Sequence, residues 1–319
     1  MESLKSAKAL LYAGDRSSVQ ACFSDVSTTM NSIPLFSVII PTYHRNDLLA
    51  KCLDCLAPGV QTLPPEQYEV IVTDDSSQTT AEEMIRDRYP WVKWVAGPRK
   101  GPAANRNNGA RYAKGEWLVF TDDDCLPDPQ WLEAYGKAVV TEPSCLVFEG
   151  RTYVDRPRRT LAEISPANES GGYLWSCNFA IQQQLFESIS GFDERFPYAA
   201  MEDMDLRQRL TKAGYQFSFI KTASVCHPWK PKGGWQKLKQ YHESILIYLS
   251  IHPEESVQIN SQYYLLSNLR IFVKVTLPGL LQFRGSGIKE ALLEHLKFLQ
   301  MALVLLIKFP LKGNRSHPN

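Results

Sequence analysis

Four short apolar runs at βαβ spacing constrain this chain more than any other feature. They are residues 36–40 (FSVII), 68–73 (YEVIVT), 91–96 (WVKWVA) and 116–121 (EWLVFT). β-branched and aromatic residues dominate them, as in strands buried on both faces of a parallel sheet. Helix-like stretches lie between them at 47–56, 80–88 and 103–113, and the strand starts fall 23 to 32 residues apart. The pattern predicts an α/β fold with a Rossmann-like, open, mostly parallel sheet flanked by helices.

Past Ser144 the rhythm changes. Shorter strand-like runs at 145–150 and 173–181 flank a basic, proline-containing loop at 151–159. A helix is expected near 182–190, then Gly191-Phe192-Asp193, then a helix over 201–213 with Glu202, Asp203 and Asp205 at its start, where the helix dipole favours acids. Residues 217–225 read as a last strand ending at Cys226-His227-Pro228, and from Trp235 the pattern is helical. The expected organisation is a loosely ordered extension (1–34), an α/β domain (35–228, with halves 35–125 and 126–228), and a basic, helical C-terminal region (229–319).

Charge supports a division of labour. The net charge is only +1, against the strongly basic balance of a dedicated nucleic-acid binder, so no nucleic-acid partner is expected. Yet residues 229–319 carry 12 Lys+Arg against 5 Asp+Glu, whereas the rest carries 23 against 29. Seven scattered cysteines do not form a disulfide framework, which fits a reducing compartment. Cys52 and Cys55 lie in an apolar-periodic run and read as core residues of a helix. The best N-terminal apolar patch, 9–13, is shorter than a leader's hydrophobic region, so a cytoplasmic location is expected.

The polar residues cluster where chemistry is expected. Thr42, Tyr43, His44 and Arg45 follow the first strand, Asp74 and Asp75 the second, and Asp122, Asp123 and Asp124 the fourth. In open α/β sheets ligands bind at those carboxyl ends. One such aspartate is as easily a helix cap or turn residue. Three adjacent ones repel each other and make sense around a cation. Alternation on extended backbone lets Asp122 and Asp124 face one pocket while Asp123 points away or caps. Few, hard oxygen ligands suit Mg²⁺ or Mn²⁺ that keeps positions open for phosphate. The segment 101–109 (GPAANRNNG) opens a helix with small residues and carries Arg106, able to meet a phosphate or base edge. It lacks the Gly-Lys-Ser/Thr of a phosphate-binding Walker loop.

Five elements in order now carry a resemblance: Pro41-Thr42-Tyr43-His44-Arg45, Asp74-Asp75-Ser76-Ser77, Arg106-Asn107-Asn108-Gly109, Asp122-Asp123-Asp124, and Gly191-Phe192-Asp193 with Glu202-Asp203. Over roughly 36–228 the chain resembles the family-2 glycosyltransferases of GT-A fold. The resemblance implies an inverting enzyme that moves a sugar from a nucleotide-sugar, UDP-linked by preference, to a hydroxyl of a glycan or lipid-linked acceptor. It implies that Pro41, Thr42, Tyr43, Arg45, Asp75 (or Asp74) and Arg106 line the nucleotide, with Asp122 and Asp123 beside it. A divalent cation, Mg²⁺ or Mn²⁺, would sit on Asp122 and Asp124, with His227 as a late ligand. Asp203 would be the general base and Glu202 its supporting neighbour. The chain departs from the family pattern at Ser76-Ser77-Gln78-Thr79, where Gly-Ser-Thr-Asp is frequent, and at Asn105, where Ala is usual.

Two rival functions have discriminating features. A nucleotidylyltransferase would show a Gly-rich, Lys-containing loop after the first strand, where this chain has PTYHR. A non-catalytic scaffold of a glycan-assembly complex would not need Asp122, Asp124 and Asp203. In the tail, ten uncharged residues (298–307) lie between Lys297 and Lys308, too few to cross a bilayer alone. They read either as a helix packed on the domain or as an in-plane helix. With the basic tail and Trp229, Lys230, Lys232, Trp235, Lys237 and Lys239, the second reading gives peripheral contact with the cytoplasmic face of a membrane.

Overall fold

Strand β1 (Phe36–Thr42) is buried at every position and forms the middle of the sheet. It pairs in parallel with β2 (Tyr68–Asp74) on one side and β4 (Trp117–Thr121) on the other. Pro41, which has no N–H to donate, lies past the stretch that β4 covers, where the missing donor costs little. β3 (Val92–Ala96) extends the parallel half beyond β2. The computed structural model describes residues 34–308, so the extension expected over 1–34 lies, Pro34 apart, outside the described residues.

Helices α1 (Asn46–Leu56), α2 (Glu82–Arg88) and α3 (Pro102–Ala110) connect these strands, as the spacing predicted. Ala103, Ala104, Gly109 and Ala110 let α3 lie close to the sheet. A Cβ at Gly109 would run into Ile39 and Thr73. Gly101, just before α3, holds φ at +97° against the Pro197 carbonyl, a conformation glycine reaches without penalty.

The second half is mixed. After the short β5 (Leu126–Pro127) and α4 (Trp131–Thr141) come β6 (Val147–Tyr153), β7 (Glu163–Ile164), β8 (Asn178–Gln182) and α5 (Gln183–Ser188). Then follow α6 (Glu202–Lys212), β9 (Ser218–Cys226) and β10 (Lys230–Pro231). The eight-stranded sheet runs β3-β2-β1-β4-β8-β6-β9-β5, with β8 antiparallel to both β4 and β6, and β9 parallel to β6. The sheet is parallel throughout its first half and mixed beyond β4.

Helices α7 (Trp235–Ile251), α8 (Ser261–Ile271), α9 (Leu277–Gln282) and α10 (Ile288–Lys308) complete the described chain. A five-residue π-helical turn, Phe272–Thr276, joins α8 to α9. Ile245, Tyr248 and Leu249 of α7 share one apolar cluster with Leu206 and Leu210 of α6 and Met301 and Leu305 of α10. A polar link fixes the same contact: His252, capping α7, lies 2.8 Å from the fully buried Asp205 carboxylate of α6. Arg209 donates to the other oxygen of Asp205 at 2.8 Å. The six described cysteines are free; on α1, Cys52 packs into the core as expected, whereas Cys55 is only half-buried.

Candidate active site

The carboxyl ends of β1, β2 and β4 open into a cleft of about 620 Å³. Its walls include Pro41, Thr42, Tyr43, Arg45, Asp75 and Arg106, with Asp122 and Asp124 at one side. Asp74, Asp123, Glu202, Asp203 and His227 are not part of that wall; they lie behind or beside it.

The two adjacent aspartates after β2 divide sharply. Asp74 accepts from the Ser76 N–H (2.8 Å), the Ala81 N–H (2.6 Å) and Trp94 Nε1 (3.3 Å), so both its oxygens shape the turn into α2. Asp75 faces the cleft, where its carboxylate accepts from the backbone N–H groups of Arg99 (2.8 Å) and Gly101 (3.2 Å). Burial raises its pKa, and those two donors oppose the rise.

The aspartate triplet divides by the alternation of extended backbone. Asp123 is fully buried beneath the cleft, accepting from the Thr42 hydroxyl at 2.8 Å with Arg45 Nη2 2.8 Å away. Asp122 accepts from Arg106 Nη2 at 2.7 Å. Asp124 accepts from Arg45 Nη1 at 3.0 Å and from Lys230 Nζ at 3.0 Å, both on Oδ2. Burial alone would raise the Asp124 pKa, but His227, Lys230 and Arg45 outweigh it and hold the group well below the usual carboxylate range. It is therefore an anion at any working pH.

A divalent cation fits beside Asp124. Asp124 Oδ1 is buried without a hydrogen-bond partner, and His227 Nε2 lies 3.4 Å from it. His227 Nδ1 is 3.1 Å from the Pro228 carbonyl, which can only accept, so Nδ1 holds a hydrogen; Nε2, turned toward Asp124, either donates to that carboxylate or, in the neutral ring, offers its lone pair to a cation. A carboxylate and an imidazole suit Mn²⁺ or Mg²⁺. Cys125 is within reach of the same point, but burial, then the neighbouring Cys177, keeps its thiol protonated and a poor ligand.

The remaining two acids of the sequence reading lie on α6. Met201 takes a left-handed φ of 72° immediately before α6, turning Glu202 and Asp203 into the helix's first turn. Glu202 accepts from Arg106 Nη1 at 3.0 Å, so one buried guanidinium ties the fourth strand's Asp122 to α6. Asp203 is half-buried, accepting from the Met204 N–H at 2.8 Å and from the Ser176 N–H. Burial raises its pKa, against the lowering pull of Arg106. Gly191-Phe192-Asp193 does not reach the cleft. The Asn107 side chain exchanges two hydrogen bonds with the Phe192 backbone (2.8 and 2.9 Å), a structural tie between α3 and the approach to α6.

Several residues that the sequence reading did not bring to the site are here. Lys230 Nζ lies 3.2 Å from His227 Nε2 as well as on Asp124. Burial works against its charge, and Asp124 then Asp122 overcome it, so its pKa is raised. Lys237 and Gln240 of α7, with Arg99 and Tyr198, complete the cleft wall. Glu149, buried in β6, accepts from Asn168 Nδ2 and from the backbone N–H groups of Gly172, Tyr173 and Leu174 at 2.6–2.8 Å, anchoring the loop that carries Ser176. An acid inside the apolar run VFEGRTY was the only sequence signal for it.

The Glycosyl transferase family 2 model matches residues 37–197, half of the chain, and the protein belongs to that family. It is a glycosyltransferase. It is similar to the glycosyltransferase AglE of Haloferax volcanii, 27% identical over 64% of this chain and 70% of that one. It is also similar to validoxylamine A glucosyltransferase of Streptomyces hygroscopicus subsp. limoneus, 30% identical over 57% of this chain and 49% of that one. The chain thus spans about half of the second relative's length. Among solved structures, residues 1–349 of S. aureus TarS in complex with UDP-GlcNAc superpose with a TM-score of 0.52 at 20% identity, covering 66% of this chain and 64% of that one. The likeness shows a GT-A-like fold.

Proposed function

We propose that the protein transfers a sugar, with inversion, from a nucleoside-diphosphate sugar, UDP-linked by preference, to a hydroxyl of a glycan or lipid-linked acceptor. The observation that carries this reading is the convergence at one cleft of Asp75, Asp122, Asp124 and Arg106, with His227 beside Asp124 and with Arg106 tying Asp122 to Glu202, the neighbour of Asp203 on α6. In this reading Thr42, Tyr43, Asp75 and Arg45 surround the nucleoside. Asp124 and His227, with the free oxygen of Asp122, would hold a divalent cation. When bound, that cation would neutralise charge on the departing diphosphate. Asp203 takes the proton of the attacking hydroxyl. The new bond forms at the anomeric carbon as its bond to the β-phosphate oxygen breaks on the opposite face. The proposed place of work is the cytoplasmic face of a membrane, contacted through 229–319.

Melting the protein with UDP, GDP, dTDP or CDP, each with and without Mn²⁺, tests the donor site. Saturation at about a hundred times Kd adds about 2.7 kcal/mol of stability, which reads as several degrees. One nucleotide should give a metal-dependent shift that Asp124→Asn abolishes. A flat panel would remove the donor-site assignment.

Lys230 gives a second test. Its ammonium shares Asp124 and His227 with the proposed cation, so a cation must enter against it. Lys230→Met is expected to tighten the binding of Mn²⁺ alone by about thirtyfold, the scale of a unit charge set against a divalent one about 4 Å away in water. Calorimetric titration showing an unchanged or weaker affinity would mean that the lysine does not contest that position.

A further inference from the structure

The two long helical segments at the end of the described chain form an antiparallel hairpin. Ser261–Gln282 runs out through α8, the π-helical turn and α9, and α10 runs back. His295 of α10 bonds Asn268 (2.5 Å) and Thr276 (2.8 Å), and the Tyr264 and Phe298 rings lie 5.6 Å apart. The inner face of α10, through Ala302, Met301 and Leu305, is packed into the core with α7. Its outer face is equally apolar. Leu292, Leu296, Leu299, Leu303 and Leu306 recur every three or four residues and are 46–59% exposed. The partner segment does the same with Leu266, Leu269, Val273, Leu277 and Leu281, 48–79% exposed. Each stripe is about 20 Å long at 1.5 Å per residue. A helix apolar on both faces is one whose second face is covered.

Charge identifies what covers it. Arg270, Lys274, Arg284, Lys289 and Lys308 are exposed on this hairpin. Among its described residues no acid is exposed; Glu290 and Glu294 are half-buried, and Glu294 pairs with Lys232. A two-fold contact with a second copy would set this cationic patch against itself. We propose that the outer face of 261–308 seats in the interfacial layer of an anionic lipid bilayer, with leucines at the acyl boundary and Arg/Lys at the headgroup phosphates. The hairpin lies in the plane of one leaflet. Arg270 and Lys274 fall in the middle of their segment, and the inner face of α10 stays committed to α7. The proposal rests on the membrane-surface reading above and names its face and its lipid. It also relocates the contact. Lys230 and Lys237 serve the cleft, Lys232 pairs with Glu294, and Lys239 approaches Glu243, so these lysines are not the ones offered to lipid.

Co-sedimentation of the full chain with vesicles of phosphatidylcholine, alone or with phosphatidylglycerol added, is the test. Binding is expected on the anionic vesicles and should weaken in high salt. Leu269→Ser/Val273→Ser/Leu299→Ser/Leu303→Ser, all exposed positions, should lose at least tenfold in affinity while keeping the melting temperature. Arg270→Gln/Lys274→Gln/Lys289→Gln should lose the preference for anionic lipid, about fivefold for each cation removed. Wild type that ignores both vesicles, a serine variant that binds as wild type does, or a dimer in sedimentation velocity that the serine variant dissolves would each overturn the proposal. The nucleotide-induced melting shift is read on the same samples. A nucleotide shift without lipid binding sinks only the membrane face, and lipid binding without a nucleotide shift sinks only the donor site.

Discussion

Asp203→Asn is expected to lower turnover by about 10²–10⁴-fold, the usual worth of a general base, while leaving nucleotide affinity nearly unchanged. The substitution is close to isosteric, and the asparagine carbonyl oxygen can still accept from the Met204 and Ser176 N–H groups that orient Asp203. What it removes is the site that takes the acceptor's proton. Nucleotide affinity should survive because Thr42, Asp75 and Asp124 belong to the cleft wall, whereas Asp203 does not. Burial raises the Asp203 pKa above its ordinary 3.8, so the acid limb of wild-type kcat/KM should fall above that value. The limb should vanish from the residual activity of the variant. Steady-state rates with calorimetric nucleotide binding would decide it. Full turnover in the asparagine variant would end the assignment, and a matched loss of nucleotide affinity would make Asp203 a binding residue.

Arg106→Met is expected to be the most destabilising single change at the site. The guanidinium is 3% exposed and joins Asp122 to Glu202, and its carbon lies 5.6 Å from the Phe192 ring centre. Removing one partner of a buried ion pair costs about 3–5 kcal/mol, because the charge left behind is unpaired. At about 2–4 °C per kcal/mol for a domain of this size, the melting temperature should fall by roughly 10 °C. The loss should depend on pH in a set direction. Glu202 is raised from its ordinary 4.5 to about 7, by burial first and then by Asp203, and Arg106 is what limits that rise. A buried acid with a raised pKa keeps its proton in the folded state when the unfolded chain has released it, so stability falls as pH climbs through that window. Without Arg106 the folded value rises further. The deficit should therefore be small near pH 5 and larger near pH 8, measured by melting both proteins across that range. A deficit independent of pH would mean that lost packing, and not the stranded carboxylates, sets the cost.

The parallel half of the sheet was legible because strands buried on both faces are written as unbroken apolar runs: FSVII, YEVIVT and EWLVFT became β1, β2 and β4 within a residue or two. The antiparallel half was less so. The run 173–181 contains only four residues of β8, since its first part is the loop held by Glu149. At the cleft, chain order could place acids at strand ends but could not choose between neighbours. Asp74 and Asp75 look alike in sequence, and only the turn into α2 decides that one holds that turn together and the other faces the cleft. Lys230 and Lys237 were invisible for another reason. A lysine in a basic tail reads as solvated, and nothing local says that the fold returns it to an aspartate more than a hundred residues upstream. The hairpin was partly hidden as well. The apolar run 298–307 stood out, while Arg270, Lys274 and Pro278 interrupt its partner segment in sequence although the helical surface stays apolar around them.

The bond between His252 and Asp205 sets where this protein can be divided. The family match ends at residue 197 and the last strand of the eight-stranded sheet at Cys226, so the motifs suggest a unit that closes near Pro228. The folding unit closes later. A chain stopped at 228 would strip α7 and His252 from α6, leave the fully buried Asp205 with Arg209 alone, and open the apolar face of Leu206 and Leu210 to water. Those losses fall on the helix that carries Glu202 and Asp203. α7 is thus shared property: its start walls the cleft where the nucleotide is proposed to bind, and its end braces the helix that carries the proposed general base.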